Sequence, residues 1–215
     1  MVKINGLMDK TTYQYDAVRT EKDDNTTIDN TTVKSSEGKL SSKASDYLNE
    51  LRKQYNDYDF VIADAGDDYK GLVKQSSKEY TVVWSSTDLE RMTYDKKFAA
   101  EKINSVKSIV SYTKERICKE CGFESAYGKH QNNDSQLKNI AVSSDDNGIL
   151  VLFAGLEKIT KKRNPYQKNN EERYIKEKGV SGSTTDELLE KIKSIDWASL
   201  SGRIAGNGDN VDFHA

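Results

Sequence analysis

The chain has 215 residues, with 33 basic and 35 acidic side chains and a formal net charge of −2. This balance, with the two signs interspersed, excludes a general nucleic-acid reader, which concentrates lysine and arginine in a strongly basic domain. Hydrophobic residues make up only 35% of the chain and its mean hydropathy is −0.82. That share is low for one uniform globular domain, so we expect part of the chain to form polar tails.

The sequence also bears on location. No apolar run approaches the length of a membrane span. The first residues, MVKINGLMDK, lack the continuous apolar core of a secretory signal. We therefore expect a cytoplasmic protein with no membrane association, and export by a route that needs no cleaved signal is the alternative. With only two cysteines, a disulfide-stapled secreted scaffold is excluded.

Residues 1–38 are rich in asparagine, threonine, aspartate and serine, as in DDNTTIDNTTVKSSEG. Such a segment cannot bury enough apolar surface to offset the entropy lost on ordering. We predict a flexible N-terminal tail here.

A folded domain is predicted over residues 39–159, and it opens with a helix. Ser41 or Ser42 is a suitable N-cap, and apolar residues follow at helical spacing. The run YDFVIA, from Tyr58 to Ala63, is typical of a strand. A turn cluster follows it, and then one or two helical turns over residues 69–74.

The second half of this domain repeats the alternation of strand and helix. A strand is predicted over Glu79–Trp84, then a short helix, then a long helix that stops at Gly122. Two strands, near 139–144 and 149–156, flank Asn147-Gly148, a dipeptide favoured in tight hairpin turns.

Beyond residue 159 the composition changes again. Residues 160–182 have an excess of basic residues and are predicted to be a polar linker, residues 183–200 a capped amphipathic helix, and residues 201–215 a tail rich in glycine and asparagine. The whole order predicts an α+β fold. We expect a small, mostly antiparallel sheet of about four strands, with helices packed on one face and polar tails at both ends.

The sharpest local motif is Cys118-Lys-Glu-Cys121. Two thiols three residues apart on a helix lie on one face, which suits a disulfide switch or half of a metal site, and His130 would be a third ligand. A closed zinc site needs a fourth ligand, and the helix C-terminus disfavours a thiolate. The alternative for this pair is two small, half-buried side chains.

Other polar clusters are explained by turn chemistry. Asp64, Asp67 and Asp68, like Asp145 and Asp146, stand in turn sequences, and their spacing is not that of a calcium loop. No nucleophile motif or phosphate-binding loop is present, so we expect no cofactor.

Three segments carry a family resemblance: LSSKASDYLNELRKQYNDYDFVIAD, SSKEYTVVWSSTDLERM and NIAVSSDDNGILVLFAGLEK. Together they resemble the DUF6033 family of uncharacterised Firmicutes proteins over about residues 39–158. The resemblance implies a bacterial origin and supplies no activity, substrate or catalytic residue.

The functional prediction is a non-enzymatic interaction or self-assembly protein. Its partner would be another protein or like subunits, contacted through the tails and through a sheet edge or tyrosine-bearing face. One alternative is a small redox or metal-binding module that uses Cys118, Cys121 and His130. Another is an exported effector with an uncleaved N-terminal signal.

Overall fold

The computed structural model describes residues 36–64, 66–128, 134–144, 150–163 and 171–205, all within one compact unit, Val33–Ala215. A short 3-10 helix spans Ser36–Lys39. The α-helices are α1 (Ser42–Gln54), α2 (Tyr69–Gln75), α3 (Ser86–Met92), α4 (Lys96–Cys121) and α5 (Thr185–Lys193). The strands are β1 (Tyr58–Ile62), β2 (Tyr80–Trp84), β3 (Glu124–Ser125), β4 (Ser135–Ser144), β5 (Leu150–Arg163), β6 (Glu171–Gly182) and β7 (Arg203–Ile204).

The helix ends lie where the capping residues predict them. The Ser41 hydroxyl accepts a hydrogen bond from the Ala44 amide (3.2 Å) at the start of α1, and Thr184 caps α5 in the same way. Gly122 ends α4 in the left-handed conformation, with φ of 72°. Among the described residues, no helix is both long and apolar enough to cross a membrane.

The sheet is larger than predicted and mixed. Its strands lie in the order β1-β2-β4-β5-β6-β7, and β3 pairs with β4 beside β2. The strands β1, β2 and β4 are parallel, whereas β4, β5, β6 and β7 are antiparallel. The prediction of about four mostly antiparallel strands was therefore wrong, although the α+β class and the β4–β5 antiparallel pair are confirmed. The helices between β1, β2 and β4 allow the parallel crossovers.

The first face of the sheet carries the main core. Alternate residues of β2, such as Val82 and Trp84, are at most 1% exposed and point to this face. Four helices cover it with apolar stripes, and their buried residues include Leu48, Leu89, Val110 and Leu188 from α1, α3, α4 and α5.

The second face has its own smaller cluster, which the prediction of helices on one face did not include. Val83 of β2 and Ala141 of β4 contact Leu72 and Val73 of α2 there. The helix α2 has only seven residues and packs on the parallel half of the sheet, with Phe153 of β5 against its cluster. No described helix covers the rest of β5 and β6 on this face.

The segment expected to be a polar linker, 160–182, is largely strand. It includes the end of β5 and all of β6, which pair from Leu152↔Gly182 to Arg163↔Glu171. Most side chains of this part of the β5–β6 pair meet solvent, so charged residues occur on both of its faces. The alternation of apolar and polar residues that indicates a strand is therefore absent from the sequence. Most of the predicted tails, 1–38 and 201–215, lie outside the described residues.

Two edge segments of the sheet, β1 and the part of β6 beyond the two-residue β7, each accept a hydrogen bond from a cation on a helix. At β1, Arg52 donates to the Phe60 carbonyl (2.6 Å). At β6, Lys191 donates to the Ser181 carbonyl (2.9 Å). Charged side chains on an edge discourage pairing with another chain. The sheet therefore offers its uncovered face more readily than its edges.

Candidate functional site

A concave surface lies on the second face, where α2 stops short of β5 and β6. Two cavities of about 260 Å³ and 680 Å³ share Lys74, Asn139, Gly155 and Gly179 in their walls, so they form one continuous depression. We call this depression the sheet groove. Its apolar end includes Val73 and Phe153. The polar end is lined by Ser76, Ser77, Tyr127, Lys138, Glu177 and Lys178.

Two glycines form the floor of the sheet groove. Gly155 of β5 and Gly179 of β6 are cross-strand partners, and Asn139 of β4 pairs with Gly155 on the other side. Because Gly179 has no side chain, the peptide backbone of β6 is open to an incoming group at this position. A Cβ at Gly179 would meet no atom of the described residues within 4 Å.

Gly155 is required for a different reason. The side chain of Asn139 lies across this residue, and a Cβ there would be 3.3 Å from Asn139 Cγ and closer still to its Oδ1. The side-chain Nδ2 of Asn139 also donates a hydrogen bond to the Val73 carbonyl of α2 (3.5 Å). Asn139 therefore links α2 to the floor of the sheet groove, because the adjacent glycine leaves room for its side chain.

The charges around the polar end are of both signs. Lys138, displaced by an irregularity in β4 between Leu137 and Asn139, pairs with the buried Glu157 at 3.4 Å. Glu177 pairs with Arg203, also at 3.4 Å. Lys178 is the cross-strand partner of Leu156, which is buried in the main core, so the Lys178 side chain lies on the first face and only its backbone borders the sheet groove. Among the described residues of the groove walls, Lys74 has no ion-pair partner.

The predicted cysteine site lies elsewhere, at the end of α4. Cys118 and Cys121 are free, half-buried thiols that pack against the main core. Burial is the largest effect on both and raises the pKa of each thiol. A raised pKa leaves less thiolate near neutral pH, so it disfavours nucleophilic and metal-binding chemistry. His130 lies outside the described residues, and the metal-site prediction remains a prediction.

A polar network beside Cys118 holds α4 to the sheet. Lys114 donates to Glu79 (2.6 Å) and to the Tyr80 hydroxyl (3.0 Å), and Ser125 also donates to Glu79. These contacts connect the last turns of α4 with β2 and β3. Such a network satisfies half-buried charges and fixes the helix in place.

The acidic turn after β1 is also structural. Asp64 accepts from the Ser86 amide at the start of α3 (2.8 Å) and from Lys39 (3.1 Å). Burial alone would raise the pKa of Asp64, but hydrogen bonds from Ser86, Lys39 and Ser36 outweigh it and lower that pKa to about 2. Asp67 accepts from the Asp64 amide (2.8 Å). The described residues include no cluster of three or more metal-ligating His, Cys, Asp or Glu side chains.

Sequence reasoning missed the sheet groove. Its floor consists of residues without side chains, and the glycines become neighbours only through the β5–β6 pairing. One signal was present: Gly155 is an isolated glycine inside the strand LVLFAGLEKI, a position that often marks close approach of another group.

Comparison with known proteins gives one match. The model of a family described as "Protein of unknown function (DUF6033)" matches residues 38–179. The match begins just before α1 and extends through most of β6, so it includes every residue of the sheet groove except Ser181 and Val180. No curated protein and no solved structure matches the chain.

Proposed function

The chain belongs to the DUF6033 family of proteins of unknown function, and we propose that it is a non-enzymatic interaction protein. In this proposal the sheet groove binds an extended segment of a partner protein. The observation that carries it is the open floor at Gly179, beside α2 and the Asn139 side chain, on a part of this sheet face that no described helix covers.

The dimensions suit an extended chain. The sheet groove follows β5 from Phe153 to Leu156, a length of about 10 Å at the usual rise of a strand. A segment of about four residues fits this length. The apolar end, with Val73 and Phe153, would take one hydrophobic side chain, and the backbone of the partner would lie along the glycine floor.

Paired strands and a packed helix form the framework around the sheet groove. The β5–β6 ladder pairs twelve residues on each strand, and α2 is fixed by its cluster with Val83 and Ala141. A preformed site loses little conformational entropy on binding, so a short segment can bind with useful affinity. We expect this action in the cytoplasm, which fractionation of the cells that make the protein would test.

Gly179→Leu tests the proposal. The new side chain enters empty space and fills the sheet groove without a clash. Gly38→Leu is the matched control, because a Cβ at Gly38 also meets no atom within 4 Å and this residue lies in the 3-10 helix. Each variant and the wild-type chain would be used for affinity capture, and captured proteins would be re-measured as purified components.

We expect a partner that binds the wild-type chain and Gly38→Leu equally, and Gly179→Leu at least tenfold more weakly. Equal binding by all three proteins would contradict the use of the sheet groove. Light scattering on the purified chain would then show whether self-association, which is the other form of the predicted function, explains the interaction.

A further inference from the structure

We infer that the segment bound in the sheet groove is residues 210–213 of a second copy of this chain, with the Phe213 ring above Gly179. This inference rests on the proposed function and names the partner. Two observations support it: the spacing of positions on the floor of the sheet groove, and the length of chain that follows β7.

The floor of the sheet groove offers two positions to the side chains of a bound segment. Phe153 and Ser181 are cross-strand partners, and Gly155 and Gly179 are the next pair on the same face, two residues along each strand. The two positions are therefore about 7 Å apart. Phe153 and Val73 make the first position apolar. At the second, a Cβ on Gly179 would meet no atom of the described residues within 4 Å, which leaves room for a larger side chain.

The sequence beyond β7 matches this spacing. Residues 206–215, which read GNGDNVDFHA, begin where the described residues stop, and Val211 and Phe213 are the only large apolar residues among them. In an extended segment two such side chains point to the same side, about 7 Å apart. With Phe213 above Gly179, its ring can contact the Phe153 ring, and Val211 falls at the first position.

The same copy cannot supply this segment. Ala205 donates its amide to the Arg173 carbonyl (2.7 Å), and β7 runs antiparallel to β6, away from Gly179. Gly179 lies six residues beyond Arg173 along β6, which is about 20 Å. A reversal of the chain takes a turn of about four residues. The four residues that remain up to Phe213 then span at most about 14 Å, so Phe213 must come from a second copy.

Sedimentation velocity on the purified full chain, over a range of concentrations, tests the inference. We expect the wild-type chain to self-associate, and Phe213→Ala and Gly179→Leu to do so at least tenfold more weakly, because each removes the contact of the ring with the floor. Tyr94→Ala is the matched control, since it removes an aromatic side chain that is 72% exposed and lies outside the sheet groove. This variant should associate like the wild-type chain.

A mixture of the two weakened variants identifies the contact. Phe213→Ala keeps an intact groove and Gly179→Leu keeps an intact segment, so the mixture should associate more strongly than either variant alone. A mixture that associates no more strongly than the separate variants would overturn the inference, because the two substitutions would then act at different contacts.

Affinity capture with Gly179→Leu separates this inference from the proposed function. If the wild-type chain is monomeric at every concentration, or if Phe213→Ala associates like the wild-type chain, the inference is overturned. The proposed function still stands in that case if Gly179→Leu loses a captured partner. If Gly179→Leu neither weakens self-association nor loses a captured partner, both are overturned.

Discussion

A coupling between Asn139 and Gly155 gives the sharpest test of how the floor of the sheet groove is built. Gly155→Ala places a methyl group against the Asn139 side chain, 3.3 Å from its Cγ and closer to its Oδ1. The side-chain amide of Asn139 must move, and it loses its hydrogen bond to the Val73 carbonyl. The new methyl group is fixed to the β5 backbone, which is paired on both sides, so the Asn139 side chain moves rather than the strand.

The magnitude combines three effects. Loss of the hydrogen bond costs about 1 kcal/mol, and an off-rotamer Asn139 side chain costs about 1 kcal/mol more. Alanine gains about 0.4–1 kcal/mol by restricting the unfolded chain. Gly155→Ala should therefore lower the free energy of unfolding by about 1 kcal/mol. In an Asn139→Ala background the same substitution should be neutral or stabilise by about 0.5 kcal/mol.

Urea unfolding followed by tryptophan fluorescence measures all four proteins of this cycle, since Trp84 is 1% exposed and reports on the core. We expect a coupling energy of about 1.5 kcal/mol. Gly179→Ala is the control, because its methyl group enters empty space and should not destabilise the protein. If Gly155→Ala costs the same in both backgrounds, within about 0.3 kcal/mol, then Asn139 does not set the requirement for glycine.

Three further predictions concern the framework. Gly182→Ala should lower the free energy of unfolding by about 2 kcal/mol in the same urea assay. The new Cβ would lie 2.9 Å from the Leu188 amide nitrogen, which belongs to the packed helix α5. An unchanged urea midpoint would refute this contact. Arg52→Ala removes the donor to the Phe60 carbonyl and should increase aggregation in light scattering, and a soluble variant of unchanged stability would show that the edge needs no cover. Asp64→Asn should flatten the pH dependence of stability between about pH 4 and pH 2. The folded pKa of about 2 is lower than the ordinary 3.8, so this carboxylate stabilises the fold above pH 4 and loses its effect as the pH falls, and an unaltered slope would contradict that assignment.

The helices were predictable from sequence because each follows one apolar stripe and has a capping residue. Ser41 and Thr184 are such caps, and Gly122 marks the end of α4. The strands β1 and β2 were equally clear from their apolar runs. Their parallel pairing was not, because a strand sequence does not state the direction of its neighbour.

The strand β6 and the sheet groove lack the apolar patterns and capping residues from which the other elements are predicted. The strand β6 reads as a charged segment, since most of its side chains meet solvent rather than a core. The sheet groove depends on the absence of side chains at Gly155 and Gly179 and on a register that brings them together. Only Gly155 gave a local hint, and it did not identify its partner.

Photo-cross-linking tests the central claim most directly. A benzophenone side chain would be introduced at Ser77, at the rim of the sheet groove, and separately at Tyr94, which is 72% exposed and lies between α3 and α4. Irradiation in the presence of a purified partner should give an adduct from position 77 alone. Adducts of equal yield from both positions, or from Tyr94 alone, would contradict binding in the sheet groove.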